Sequence, residues 1–297
     1  MDKSSESSPS LETLIGHLEQ HAGERPGDDA ELLELARQAL TRYTRQLRVI
    51  PFPSRGQATP APTPRHGNTY LLDYLYGIGD GSANQLGSGN RGELQRYARE
   101  GLAPRALRTR RLRLAQAIDN ACERHEGRAR ILCIGSAHLR EAELSSALCH
   151  KRFQRFVALD SSPEHLQQVE RNYAWLGVET LYASVGQLLA GVAELDEFDL
   201  IYSAGLVEQL DDSSAEQLTR QLFRHLAVGG RLLLANFQPG VPNIAYLEAL
   251  LDWRPRYRDD QALLNLLLGV PYNSIASARV SHDNGKCIGF LDAIRYG

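Results

Sequence analysis

The run ILCIG leads into Gly135-Ser136-Ala137-His138, where one glycine lets the chain turn sharply and small side chains leave room for a ligand at the amides of a helix start. The loop lacks the G-x-G-x-x-G spacing that accommodates a pyrophosphate, so NAD is a poor candidate and room is left for a cofactor without phosphates. An ordinary strand-to-helix turn is the plain alternative. RFVALD ends in Asp160, followed by Ser161; an acid here can accept both hydroxyls of a ribose in charge-assisted hydrogen bonds, or it can cap the next helix. Ser184 and Val185 close the third such run, where an adenine edge would lie. In IYSAGLVEQLDD, Ser203, Ala204 and Gly205 leave space for a bound group, and Glu208 follows three residues on. Glu208 reads first as a solvated residue of the next helix and second as a polar group facing a reaction centre. Asn236 ends a fifth run, and Tyr246 and Trp253, seven residues apart, share a helical face. Aromatics at that spacing are core, the wall of a pocket, or a surface for a sulfonium cation.

These stations need a frame that brings strand ends together. From Arg130 onward apolar runs alternate with helical patterns, the signature of a parallel sheet covered by helices. The spacing predicts strands at 131–135, 155–160, 179–184, 198–205 and 230–237, with helices from EAELSSALCHK, SPEHLQQVERNYAWLG and SAEQLTRQLFRHLAVGG. SIASARVSHDNGKCIGFLDAIRY predicts a closing antiparallel hairpin turned at Asp-Asn-Gly. Ligands of such α/β sheets lie beyond the carboxyl ends of the strands, where strand order reverses.

Upstream, residues 1–10 read as a disordered tail and 11–104 as a helical lid, with a Pro-rich linker near 50–66; 105–297 form the ligand-binding domain. The lid reading rests on Tyr70, Tyr74 and Tyr76, aromatics beside a Gly/Ser loop that call for a partner surface; Tyr76 is a candidate catalytic group and Tyr74 a candidate substrate contact. Arg105, Arg108, Arg110, Arg111 and Arg113 read as the solvated face of a long helix, with one of them, Arg108 as the candidate, reaching a carboxylate of cofactor or substrate.

Composition narrows the partners. A chain of 297 residues with 42% hydrophobic content can bury a real core, and a net charge of −3 supplies no basic field for nucleic acid or an anionic membrane. The four cysteines fall in no metal-ligand spacing, so neither zinc nor a disulfide framework is expected. The polar start MDKSSESSPS and the lack of an apolar run of about 18 residues predict a cytoplasmic protein acting on a small molecule, without membrane insertion; a homodimer stays open.

Taken together, the four strand-end stations resemble the class I S-adenosylmethionine (SAM)-dependent methyltransferases over roughly Arg105 to Tyr296. "GSAHLRE", "YSAGLVEQLDD" and "GGRLLLANFQPGVPNIAYLEALLDWRPRYR" are similar to the bacterial methyltransferase-like family of 3-hydroxypalmitic acid methyl ester (extracellular factor) biosynthesis, and "RHGNTYLLDYLY" occupies the place of that family's Gly- and Tyr-rich lead-in. Ala137 and His138 stand where that family more often has Gly and Pro, and an alanine fits if the loop needs no positive φ there. The resemblance implies a Rossmann-like sheet of seven strands binding SAM without a metal, and displacement at a sulfonium carbon, in which the protein supplies alignment, desolvation and sometimes a base. Glu208, Asn236 and Tyr76 are then the catalytic candidates. Methyl transfer to an external carboxylate, hydroxyl or amine in secondary or signalling metabolism is the first expectation. Cyclisation of SAM to azetidine-2-carboxylate and methylthioadenosine is the second, and a non-catalytic SAM- or nucleoside-sensing module the third.

Overall fold

The computed structural model describes residues 69–78, 100–242, 244 and 255–297. The chain divides into two compact units, one of 1–105 with 240–254 and one of 106–239 with 255–297. In the first, α1 (Thr69–Tyr76) is a short apolar helix in which Leu75, Thr69 and Asp73 are buried. The expected tail, the two helices before residue 47 and the Pro-rich linker lie outside the described residues.

The second unit holds the sheet. Its helix α2 (Leu102–Arg124) enters from the first unit and buries a stripe of Leu107, Arg110, Leu114, Ile118 and Ala121, the three- and four-residue spacing of one helical face. The strands are β1 (Arg130–Ile134), β2 (Arg155–Asp160), β3 (Val178–Tyr182), β4 (Phe198–Ser203), β5 (Leu226–Phe237), β6 (Ile275–His282) and β7 (Ile288–Arg295). They lie in the order β3-β2-β1-β4-β5-β7-β6; β1 to β5 pair in parallel and β7 pairs antiparallel with both β5 and β6. Near-continuous apolar runs such as Ile131–Ile134 and Phe156–Leu159 are buried, as a sheet covered on both faces requires. Strand order reverses between β1 and β4, so their carboxyl ends open the crevice where a ligand would sit. The hairpin turn forms as expected: the Asp283 carboxylate accepts from the amides of Gly285 and Ile288. Among the described residues no helix is long and apolar enough to cross a membrane.

Two sequence expectations need correction. EAELSSALCHK is not one helix but a 3-10 turn (Arg140–Leu144) and the four-residue α3 (Ser146–Cys149). Ser145 breaks it: its backbone is extended and its hydroxyl, which donates to Asp119 Oδ1 at 2.6 Å, also accepts from Leu148 N. The third helix, α6 (Asp212–Arg224), stops before HLAVGG; Leu226 pairs with Phe198 and β5 begins there. Gly229, at φ 74°, and Gly230 allow this, because a Cβ on Gly230 would stand 2.7 Å from Ala227 O and 2.9 Å from Phe198 O. The second expected helix is present as α4 (Pro163–Tyr173), capped by Ser162 with Pro163 at its first turn.

Candidate functional site at the ends of β1, β2 and β4

Gly135 ends β1 at φ 65°, and a Cβ there would approach Leu206 Cβ to 3.1 Å, so glycine is what lets the β1 turn close on the chain leaving β4. Gly135 N and Ser136 N both donate to Leu159 O, pinning the turn across β2. Ala137 and Leu139 are both left-handed, each at φ 49°. The condition under which alanine fits without strain is therefore not met: this loop does need positive φ at position 137, at a cost of roughly 1 kcal/mol for a residue with a Cβ. One contact offsets it, the hydrogen bond from Ala137 N to Asp160 Oδ2 at 2.9 Å. No helix start presents its amides here, since the 3-10 turn follows.

Asp160, at the end of β2, is 7% exposed. Its Oδ1 accepts from Ser162 N and hydrogen-bonds His165 Nδ1 at 3.1 Å. Burial acts to raise its pKa, but His165 and the amides of Ala137 and Ser162 outweigh it and hold the carboxyl below its ordinary range. Three of about four acceptor positions are thus taken, leaving room for one ribose hydroxyl rather than two. The helix cap considered for Asp160 is made by Ser162 instead, and Ser161 lies half-buried between them. His138 is buried and meets His165 edge to face.

At the end of β3, the Ser184 hydroxyl accepts from Gln187 N, in a reciprocal capping box on α5 (Val185–Ala190). Val185 is the first residue of that helix. At the end of β4, Ser203 Oγ accepts from Leu206 N and starts the 3-10 turn Val207–Gln209. Ala204 and Gly205 lie half-buried between them. A Cβ on Gly205 would stand 3.1 Å from Glu208 Oε2 and 3.3 Å from Arg110 Nη1, so the glycine keeps a small space bounded by a carboxylate and a guanidinium.

Glu208 is not a solvated residue. It is 1% exposed, accepts from Phe237 N at 3.1 Å and lies 3.6 Å from Arg110 Nη1. Burial pushes its carboxyl up to about 7, against the pull of Arg110, the Phe237 amide and Arg258. The folded chain therefore keeps a proton that the unfolded chain releases, so stability falls as pH rises from 4.5 to about 7 and levels off above. Glu208→Gln cannot titrate and should lack that slope. Urea midpoints at pH 5 and 7.5 check it: wild type should lose up to about 3 kcal/mol relative to the variant, whereas parallel behaviour would contradict the burial argument.

Asn236, fully buried at the end of β5, donates through Nδ2 to Phe237 O and Arg256 O and accepts at Oδ1 from Arg258 Nη1. Its amide is spent on holding the 255–258 segment, the work of a positioning residue. Arg258 continues that net: 1% exposed, it also donates to Val207 O, Leu210 O and Asp212 Oδ1.

Of the arginine run only Arg105 is exposed as expected. Arg110 is buried at Glu208, Arg111 donates to Arg140 O and Glu143, and Arg113 donates to His282 O and lies over the Phe290 ring. Arg108 is half-buried on α2. Behind the β1 loop, Glu141 is fully buried and accepts from Tyr202 OH at 2.8 Å; burial raises its pKa. Sequence reasoning missed Arg110, His165, Arg258 and the Glu141–Tyr202 pair as parts of this region. Arg110 had a signal, since it falls on the leucine stripe of its helix. Tyr74 and Tyr76 lie on α1 of the first unit, and Tyr246 and Trp253 lie outside the described residues, so the site is built from the second unit alone.

Residues 131–230, about a third of the chain, match the family model described as Methyltransferase domain. The structure resembles a possible exported protein from Bordetella parapertussis with a TM-score of 0.59 at 17% identity, covering 96% of this chain and 95% of that one. It resembles magnesium protoporphyrin IX methyltransferase from Synechocystis PCC 6803, solved with bound SAH, with a TM-score of 0.50 at 13% identity over 76% of this chain and 92% of that one. No curated protein matches the sequence. Identities this low establish the fold: a mixed α/β, class I methyltransferase-like sheet with antiparallel strands at its C-terminal end.

Proposed function

We propose that the chain binds SAM across the carboxyl ends of β1, β2 and β4 and transfers its methyl group to a small molecule carrying a carboxylate, hydroxyl or amine. The observation that carries this reading is the convergence of the Gly135–His138 loop on Asp160 at the point of strand reversal. The residues suit the molecule. Asp160 keeps an acceptor position for a ribose hydroxyl. Ser136 Oγ is buried with no hydrogen-bond partner among the described residues, a hydroxyl waiting for one. The space at Gly205 is bounded by the Glu208 carboxyl group and the Arg110 guanidinium, polar partners of both kinds for the amino-acid end of SAM. SAM supplies an activated methyl on sulfur; the chain's part is to align it, exclude water and hold charge.

Asp160 and the β1 turn are the binding groups in this reading, with Ser136, Ala137, Ser161, Ser184, Val185, Ser203 and Ala204 lining the path between strand ends. Glu208 and Asn236 act by positioning. Incubation of the protein with SAM, followed by mass spectrometry corrected for spontaneous breakdown, tests the reaction. S-adenosylhomocysteine formed only with an added acceptor is expected. Methylthioadenosine with azetidine-2-carboxylate in the absence of acceptor would replace methyl transfer by cyclisation, and no product under any condition would leave a sensor.

A further inference from the structure

The chain leaving β2 reads Asp160-Ser161-Ser162-Pro163-Glu164-His165, and the way its helix starts decides what Asp160 can hold. Ser162 is the N-cap of α4 and its hydroxyl accepts from His165 N, so His165 takes the third helical position. A side chain at that position reaches back towards the cap, as glutamate does in a capping box. Here the side chain is an imidazole, and it reaches the Asp160 carboxylate at 3.1 Å from Nδ1. A carboxyl held below its ordinary range is ionised and only accepts, so the ring donates and its proton lies on Nδ1. The buried His138 packs edge to face on that ring, 5.7 Å between centroids, and holds it over Asp160.

The two oxygens of Asp160 are therefore unequal. Oδ1 has both lone pairs used, by Ser162 N at 2.8 Å and by His165 Nδ1. Oδ2 accepts from Ala137 N alone among the described residues, which leaves it one lone pair. A ribose presents two adjacent hydroxyls, and a carboxylate holds both by giving one oxygen to each. At Asp160 the His165 proton stands where one of those hydroxyls would donate.

We propose that His165 is a specificity-determining residue of the nucleoside site: it confines Asp160 to one ribose hydroxyl, so the site accepts an adenosyl ligand that lacks the other. This rests on the SAM reading and adds to it a ligand class, adenosyl thioethers with a deoxy sugar. A site that held both hydroxyls would reject either deoxy form, because the missing donor leaves a buried charged acceptor unpaired. With Oδ1 already saturated, removing the hydroxyl that does not reach Oδ2 strands nothing.

Calorimetry on the full chain compares S-adenosylhomocysteine with its 2′-deoxy and 3′-deoxy forms. In wild type one deoxy form is expected to bind within about threefold of the parent and the other roughly tenfold weaker, the loss of one charge-assisted hydrogen bond. His165→Ala opens Oδ1 to the second hydroxyl, so both deoxy forms should then fall roughly tenfold below the parent. His165→Asn keeps a donor at the place of Nδ1 and should restore the wild-type pattern. A merely structural His165 would lower all three affinities together and leave their ratios alone. Wild-type losses of about tenfold with both deoxy forms, or with neither, overturn the inference whatever the variants do. Ratios unchanged in His165→Ala, or a wild-type pattern lost in His165→Asn, overturn it as well. No binding of the parent thioether by wild type is a different failure, which removes the SAM reading itself and this inference with it.

Discussion

Arg258→Ala is expected to destabilise the protein by about 3–5 kcal/mol, with a fall in Tm on the order of 10 °C. The guanidinium is 1% exposed and donates to Val207 O, Leu210 O, Asn236 Oδ1 and Asp212 Oδ1, tying the turn after β4, the end of β5 and the start of α6 into one piece. Alanine leaves two carbonyls and an amide oxygen in a buried place without a donor, and each such group costs about 1–3 kcal/mol before any relaxation. Asp212 adds little to the total because its side chain is 85% exposed and rehydrates. Arg258→Lys keeps the charge but cannot span four acceptors with one ammonium, so it should recover only a minor part of the loss. Thermal and urea unfolding of the two variants measure this; an Arg258→Ala loss below about 1 kcal/mol would mean the network is not holding the β4 and β5 ends together.

Asp160→Ala is expected to weaken SAM binding by about 1.5–3 kcal/mol, roughly ten- to a hundredfold. The substitution removes the charged acceptor proposed for a ribose hydroxyl, and it also releases Ala137 N from the contact that offsets its left-handed backbone. His165→Ala separates these two roles from a general loss of structure. It frees Asp160 Oδ1 without disturbing the bond to Ala137 N on Oδ2, so SAM affinity should be kept or raised. An affinity unchanged in Asp160→Ala would remove β2 from the binding site.

The alternation of apolar runs and helical patterns makes the sheet legible in the sequence, and the Asp-Asn-Gly turn does the same for the hairpin. What escaped was set by contacts between distant segments. EAELSSALCHK has the composition of a helix, but the bond from Ser145 to Asp119, 26 residues earlier, breaks it, and a pattern within the segment cannot report that. The HLAVGG segment reads as a helix end, while the pairing of Leu226 with Phe198 across the sheet starts β5 there. The strand-end glycines were readable because a turn or close approach needs them, as Gly135 shows. Charged residues were harder. Glu208 and Arg110 were read as solvated because lone charges belong in water, and they are buried here at each other's side. Arg258 gave no signal at all, since its four partners come from three different elements.

Calorimetric titration of the wild-type chain with SAM tests the central claim most directly. One saturable site per chain is expected, with S-adenosylhomocysteine competing for it and NAD giving no binding heat. No saturable heat from either SAM or S-adenosylhomocysteine would contradict the claim that the convergence of Gly135, Ala137 and Asp160 is a SAM site.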